Sequence, residues 1–175
     1  MQSEIRVIKF GGSTVEKVPS IATSIHGKKV LVVSAVKGMT DALINGHTFE
    51  AIHIFHSWMK RHSIPNTDHL QLVKDALFRM EKGSPLYISY GEKLTAIALV
   101  GLMKQDGQEA VALFADSFLY AAGSNSYDCT LVENCAEKIA KLRVIAEKGI
   151  TPIVTGFCAQ HVDTGKNSAL GQRCE

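Results

Sequence analysis

A lysine, a phenylalanine and then two glycines at the end of a hydrophobic run are the first residues in this chain that could do chemistry. The stretch Lys9-Phe10-Gly11-Gly12-Ser13-Thr14 lets the backbone approach a ligand closely and turn its N–H groups outward. Lys9 adds a full positive charge, and the combination suits a triphosphate. It is not a Walker loop, because GxxxxGK is absent. On spacing alone the plainer reading, a glycine turn beside a solvated lysine, has the stronger claim.

Three further stretches have the same character. Ser34-Ala35-Val36-Lys37-Gly38-Met39-Thr40-Asp41 places small and polar residues between a Val-rich run and a helix. A helix amino terminus favours an anion, although Thr40 or Asp41 could simply cap it. In Ser89-Tyr90-Gly91-Glu92-Lys93-Leu94-Thr95-Ala96, Ser89 and Glu92 have capping-box spacing. The alternative is that Glu92 faces a ligand and holds an ammonium group. Thr155-Gly156-Phe157 offers an aromatic that walls a pocket or sits in the core. His53 and His56 share a helix face, but no cysteine or acid stands at a matching spacing, which favours a helix surface over a metal site.

The elements that must carry these residues alternate. Strands are expected over 5–10, 29–34, 110–116 and 151–157. Helices are expected over 19–25, 40–59, 68–82 and 89–105, with a last one opening at Asp128 or Thr130 and closing near Gly149. Asp163-Thr164-Gly165-Lys166 has the chemistry of a tight hairpin turn. Such alternation predicts an α/β fold with a mainly parallel sheet covered on both faces, and ligands gather at the carboxyl ends of its strands. Every motif above falls at such an end.

The 175 residues are enough for one domain with a sizeable core. With 19 Lys and Arg against 17 Asp and Glu, a net charge of +2 gives no reason to expect nucleic acid or an acidic membrane as partner. The apolar run over 30–33 is too short to span a bilayer, and the first residues lack a signal-peptide core. A cytoplasmic location is therefore expected. Cys129, Cys135, Cys158 and Cys174 form no CxxC pair and are expected to be thiols rather than disulfides.

Taken in order, the motifs resemble those of the aspartate kinases in the amino-acid kinase superfamily. Residues 9–15 are similar to a KFGGTSV signature with Ser and Thr exchanged, residues 32–44 to a VVSAMxGVTNxLI segment, and residues 89–96 to SFGERLSA. Residues 155–157 and the hairpin after them resemble a QGF segment and its hairpin. The resemblance implies a three-layer αβα sandwich around a mainly parallel sheet. It implies phosphoryl transfer from MgATP to the β-carboxylate of L-aspartate, the first step towards lysine, threonine and methionine. On that resemblance Lys9, Gly11, Gly12 and Ser13 would face the ATP phosphates, with Lys9 the catalytic charge. Ser34, Thr40 and Glu92 would hold aspartate, Glu92 near its amino group, and Phe157 would line the same pocket. Mg²⁺ would come with ATP, and no metal ligand is assigned to the chain.

The resemblance ends near the carboxyl terminus, where the family continues TTLGRGGSD. Here Gln172 stands in place of the arginine, Arg173 is one position late and the final aspartate is missing. A reading-frame slip after Gly171 would account for this pattern. Residues 1–175 are thus expected to be the amino-terminal, acceptor-binding part of an amino-acid kinase domain, with the nucleotide-binding half and ACT domains absent. Weak aspartate binding and little or no activity alone are the corresponding expectations, together with a homo-oligomer formed through exposed surface. Two other readings stay open: a non-catalytic aspartate-binding module, and an amino-acid kinase with a different acceptor.

Overall fold

The computed structural model describes residues 4–125, 128–132, 135–156 and 158–169. In chain order its elements are β1 (Arg6–Phe10), α1 (Val18–Ser24), β2 (Lys29–Val33), α2 (Met39–Ile44), α3 (Thr48–Arg61), α4 (Asp68–Phe78) and α5 (Pro85–Gln105). Then follow β3 (Ala110–Leu113), β4 (Tyr120–Asn125), β5 (Asp128–Leu131), α6 (Ala136–Glu147), β6 (Thr151–Thr155), β7 (Cys158–His161) and β8 (Asn167–Ala169).

The four apolar runs expected as strands become one sheet in the order β1-β2-β6-β3, and every pairing in it is parallel. Pro152 has no N–H to give, and it stands one residue before β6 begins to pair with β2 at Ile153. Side chains alternate across the pleat. Phe10, Leu31, Val33 and Ile153 enter a core shared with helices α1 to α5, whereas Val30, Val32 and Val154 face Leu142 and Ala146 of α6. The result is the expected αβα layering. The α6 layer is thin. A groove of about 770 Å³ runs along that face past Val7, Val30, Val32, Phe118 and Leu142.

α5 is the centre of the helical layer. The Ser84 hydroxyl accepts the Tyr87 N–H at 3.2 Å, Pro85 follows in the first turn, and Gly107 at φ 74° stops the chain from continuing as helix. This helix is long and apolar enough to cross a membrane, yet most of it is buried within the fold. Gly91 explains how it packs so closely. A Cβ there would lie 2.8 Å from the Ala35 Cβ and 3.5 Å from Leu43 Cδ1. Lys29, buried at the foot of β2, ties α1 to the sheet. Its ammonium donates to the Ala22 carbonyl at 2.8 Å, to the Ile25 carbonyl, and to Gln108 Oε1 at 2.9 Å.

Several expected boundaries move. The helix expected over 40–59 is two helices, parted where Gly46 takes φ 71°. The next ends at Phe78 instead of Lys82. α5 begins four residues before Ser89, so Ser89 sits inside it and its hydroxyl donates to the Leu86 carbonyl at 2.7 Å. The capping box of Ser89 and Glu92 therefore does not form. Residues 128–131 are a strand, and the helix after them starts at Ala136. That strand belongs to a second sheet that was not anticipated, in the order β5-β4-β7-β8. Its β7–β8 pair is antiparallel and closes through the expected hairpin turn, with Gly165 at φ 65°. Cys129, Cys135 and Cys158 are buried and form no disulfide among the described residues.

Helix propensity alone would make Gly91→Ala stabilising by about 1 kcal/mol. The contact with Ala35 reverses that sign. The variant is expected to lose about 1–3 kcal/mol in urea unfolding, as overpacked cores do. A gain in stability would show that the segment after β2 gives way freely.

Candidate active site

Because the sheet is parallel, the carboxyl ends of its strands share one edge. Two hydrogen bonds knit that edge together: the Ser34 N–H donates to the Phe10 carbonyl at 3.2 Å, and the Gly156 N–H donates to the Val33 carbonyl at 3.3 Å. A cavity of about 360 Å³ opens above them, lined among others by Gly12, Ser13, Ser34, Thr40, Asp41 and Glu92. Residues from the first three motifs thus meet in one place.

Gly11 to Thr14 form a turn closed on the Gly11 carbonyl, which accepts the N–H groups of Thr14 at 2.9 Å and Val15 at 3.1 Å and the Thr14 hydroxyl at 2.9 Å. A Cβ on Gly11 or Gly12 would meet nothing within 4 Å, so there is open space over the turn for a ligand. Lys9 is exposed just before it. Gly38, at φ 85°, is the residue that starts α2. Neither Thr40 nor Asp41 caps that helix, and both face the cavity instead. Phe157, Gln172 and Arg173 lie outside the described residues.

Glu92 is the most unusual group in the cavity. It is buried in the third turn of α5, and its Oε2 has no hydrogen-bond partner among the described residues. Burial pushes its carboxyl up from the ordinary 4.5 to about 8, against the opposing pull of the Gly156 backbone amide and the Lys9 charge. A Cβ on Gly156 would lie 3.7 Å from each carboxyl oxygen, which places the end of β6 directly beside this group. Such a carboxyl is poised to ionise for an entering cation.

Motif reading missed the residues behind Glu92. Lys93 Nζ and Asp116 Oδ2 are 2.6 Å apart, with both side chains under a tenth exposed, and Asn167 Nδ2 donates to the same oxygen at 2.6 Å. The signal was present as a second charge in an otherwise apolar helix. Cys158 lies in the same field: burial, then Asp116, pushes its thiol up to about 12, while Lys93 and Asn167 act in the other direction. The His53 and His56 pair plays another part. His56 Nε2 is 3.1 Å from the buried Lys74 ammonium, which also donates to Asn66 Oδ1 at 3.1 Å. Burial, followed by Lys74 and His53, lowers the His56 pKa. No group of three or more His, Cys, Asp or Glu suited to a metal occurs among the described residues.

Residues 4–171 match the amino acid kinase family. The chain belongs to that family. Among solved structures, this amino acid kinase is similar to E. coli aspartokinase III in complex with aspartate and ADP, with a TM-score of 0.76 and 18% identity. That match covers 97% of this chain and 44% of the aspartokinase. The aspartate kinase of Clostridium acetobutylicum matches with a TM-score of 0.60 and 19% identity, over 95% of this chain and 42% of the other. An isopentenyl phosphate kinase matches with a TM-score of 0.51 and 14% identity, over 96% of this chain and 64% of the other. At these identities the likeness establishes the fold. The chain spans less than half the length of the two aspartate kinases. No curated protein matches it by sequence.

The shifted carboxyl has a consequence for stability. Between pH 4.5 and about 8 the folded chain holds a proton on Glu92 that the unfolded chain has released. Stability therefore falls as pH rises through that window and levels off above it. Glu92→Gln, neutral throughout, is expected to remove about one proton from the pH dependence of urea unfolding. It should also be more stable than the parent chain at the alkaline end. An unchanged slope would mean that Glu92 titrates like a surface carboxyl.

Proposed function

We propose that this chain forms the acceptor-binding part of an aspartate kinase, in which Glu92 receives the ammonium of L-aspartate and Ser34 and Thr40 hold the rest of it. The observation that carries the reading is the buried Glu92 oxygen without a partner, set in a cavity with those two hydroxyls. An ammonium group supplies both the charge and the hydrogen-bond donor that this oxygen lacks. An isoprenoid phosphate acceptor would instead set an anion and a hydrocarbon tail against Glu92.

The phosphate side of the reading rests on Lys9 and on the Gly11-Gly12-Ser13 turn, whose open surface and neighbouring charge fit the phosphates of MgATP. Magnesium, arriving with the nucleotide, would screen phosphate charge. The acceptor needs no general base: an aspartate side chain has a reference pKa near ~3.9 and is ionised at neutral pH. What remains for the protein is to bring two anions into line and to spread the charge on the phosphoryl group in flight. Glu92 in the cavity for the acceptor's ammonium, and Lys9 beside the glycine turn for the phosphates, would divide that work between them.

Calorimetric titration with aspartate and with MgATP, each alone, tests the assignment. Glu92→Gln is expected to weaken aspartate binding by about ten- to a hundredfold, the cost of a charge-assisted bond of roughly 1.5–3 kcal/mol, and to leave MgATP unaffected. Lys9→Ala should do the reverse. Aspartate affinity that is the same in the Glu92→Gln chain removes the basis for the proposal.

A further inference from the structure

The ion pair behind Glu92 is expensive. Lys93 and Asp116 are 8% and 9% exposed, and taking two charges out of water usually offsets most of their mutual attraction. The surroundings reduce that cost in an orderly way. The Lys93 ammonium lies 5.2 Å from the Tyr90 ring centre and 5.1 Å from that of Phe114, and Asp116 Oδ2 accepts from both Lys93 and Asn167. Net stability is a weak reason for such a pair, so its geometry is the place to look.

Three contacts and three peptide links close a ring. Lys93, on α5, binds Asp116 in the turn after β3. Next to Asp116, the Ala115 N–H donates to Thr155 Oγ1 at 2.9 Å, in a buried bond at the end of β6. Next to Thr155, Gly156 stands beside the Glu92 carboxyl, so close that a Cβ on it would lie 3.7 Å from each oxygen. Glu92 is the chain neighbour of Lys93, which completes the circuit. α5 and the ends of β3 and β6 are therefore held at one mutual spacing, and Asn167 extends the circuit to β8 of the second sheet.

We infer that Lys93 and Asp116 are positioning residues, whose ion pair braces α5 against the strand ends and so fixes the Glu92 carboxyl in the acceptor cavity. The inference rests on the aspartate-binding reading of Glu92. Glu92 Oε2 has no hydrogen-bond partner among the described residues, and Gly156 stands beside both carboxyl oxygens, so little else restrains its torsions. A small slide of α5 along the sheet would part Glu92 from Gly156 and let the carboxyl turn away. Binding sites lose affinity quickly when a supporting contact of this kind is lost.

The test separates positioning from bulk stability. Lys93→Met alone strands a buried carboxylate and is expected to unfold much of the chain. The double variant Lys93→Met with Asp116→Asn removes both charges and keeps an acceptor for Asn167, while Lys93→Arg preserves the pair. The expected result is a double variant with a thermal midpoint near that of the parent, an aspartate Kd raised about tenfold, and an unchanged Kd for MgATP. Lys93→Arg should bind aspartate like the parent. In the absence of any ligand, the Glu92 carboxyl, followed by carbon-13 NMR, should titrate closer to the ordinary glutamate value in the double variant. A double variant that folds, binds aspartate normally and titrates as before overturns the inference. So does one that fails to fold, because the pair would then be a structural requirement. If the parent chain does not bind aspartate, the functional reading fails, and the Glu92 titration alone decides whether the brace exists.

Discussion

A carboxyl group is held out of water at the meeting point of three strand ends and one helix, and the surrounding architecture answers to that burial. Left ionised and unpaired in an apolar interior, such a group would cost several kcal/mol, so Glu92 keeps its proton to higher pH instead. What makes the position available is close packing. α5 can pass the segment after β2 only because Gly91 has no Cβ, and the end of β6 comes up beside the Glu92 carboxyl at Gly156. The polar cluster around Asp116 sits at the same level of the fold. The site is thus a product of helix-to-sheet distance as much as of residue choice.

Much of the sheet was legible in the residues, and the reason is physical. Parallel strands covered on both faces must be apolar throughout, and the runs at 5–10, 29–34, 110–116 and 151–157 read that way. The motifs at their ends could be located for the same reason. Local chemistry misled where it competed with packing. Ser89 and Glu92 have the spacing of a cap, but Ser84 with Pro85 makes a better helix start and an apolar face extends the helix backward to it. Asp128 and Thr130 likewise look like helix starters. Pairing with β4 makes that stretch a strand, and no local signal reports a partner so near in space. The Lys93–Asp116 pair was invisible because its members are 23 residues apart.

Membership in the amino acid kinase family and the chemistry of the cavity address different questions. The family and its solved relatives speak for the layered fold. The cavity speaks through the types of group that line it: the Glu92 carboxyl, the hydroxyl residues Ser13, Ser34 and Thr40, and the charged residues Lys37 and Asp41. Glu92 lies on the α5 side and Asp41 on α2, while Lys9 and the glycine turn lie at the end of β1.

The strand order also sets when the site can exist. β6 lies between β2 and β3, yet it is made last of the four. As the chain leaves the ribosome, β1 and β2 can pair at once, while β2 and β3 must wait for residues 151–155 to fill the lane between them. Until then Glu92 has no Gly156 beside it, and the apolar edges of two strands stay uncovered. The cavity is a late event in the life of each molecule, and a nascent chain stalled before residue 151 would present sticky strand edges to chaperones before the cavity exists.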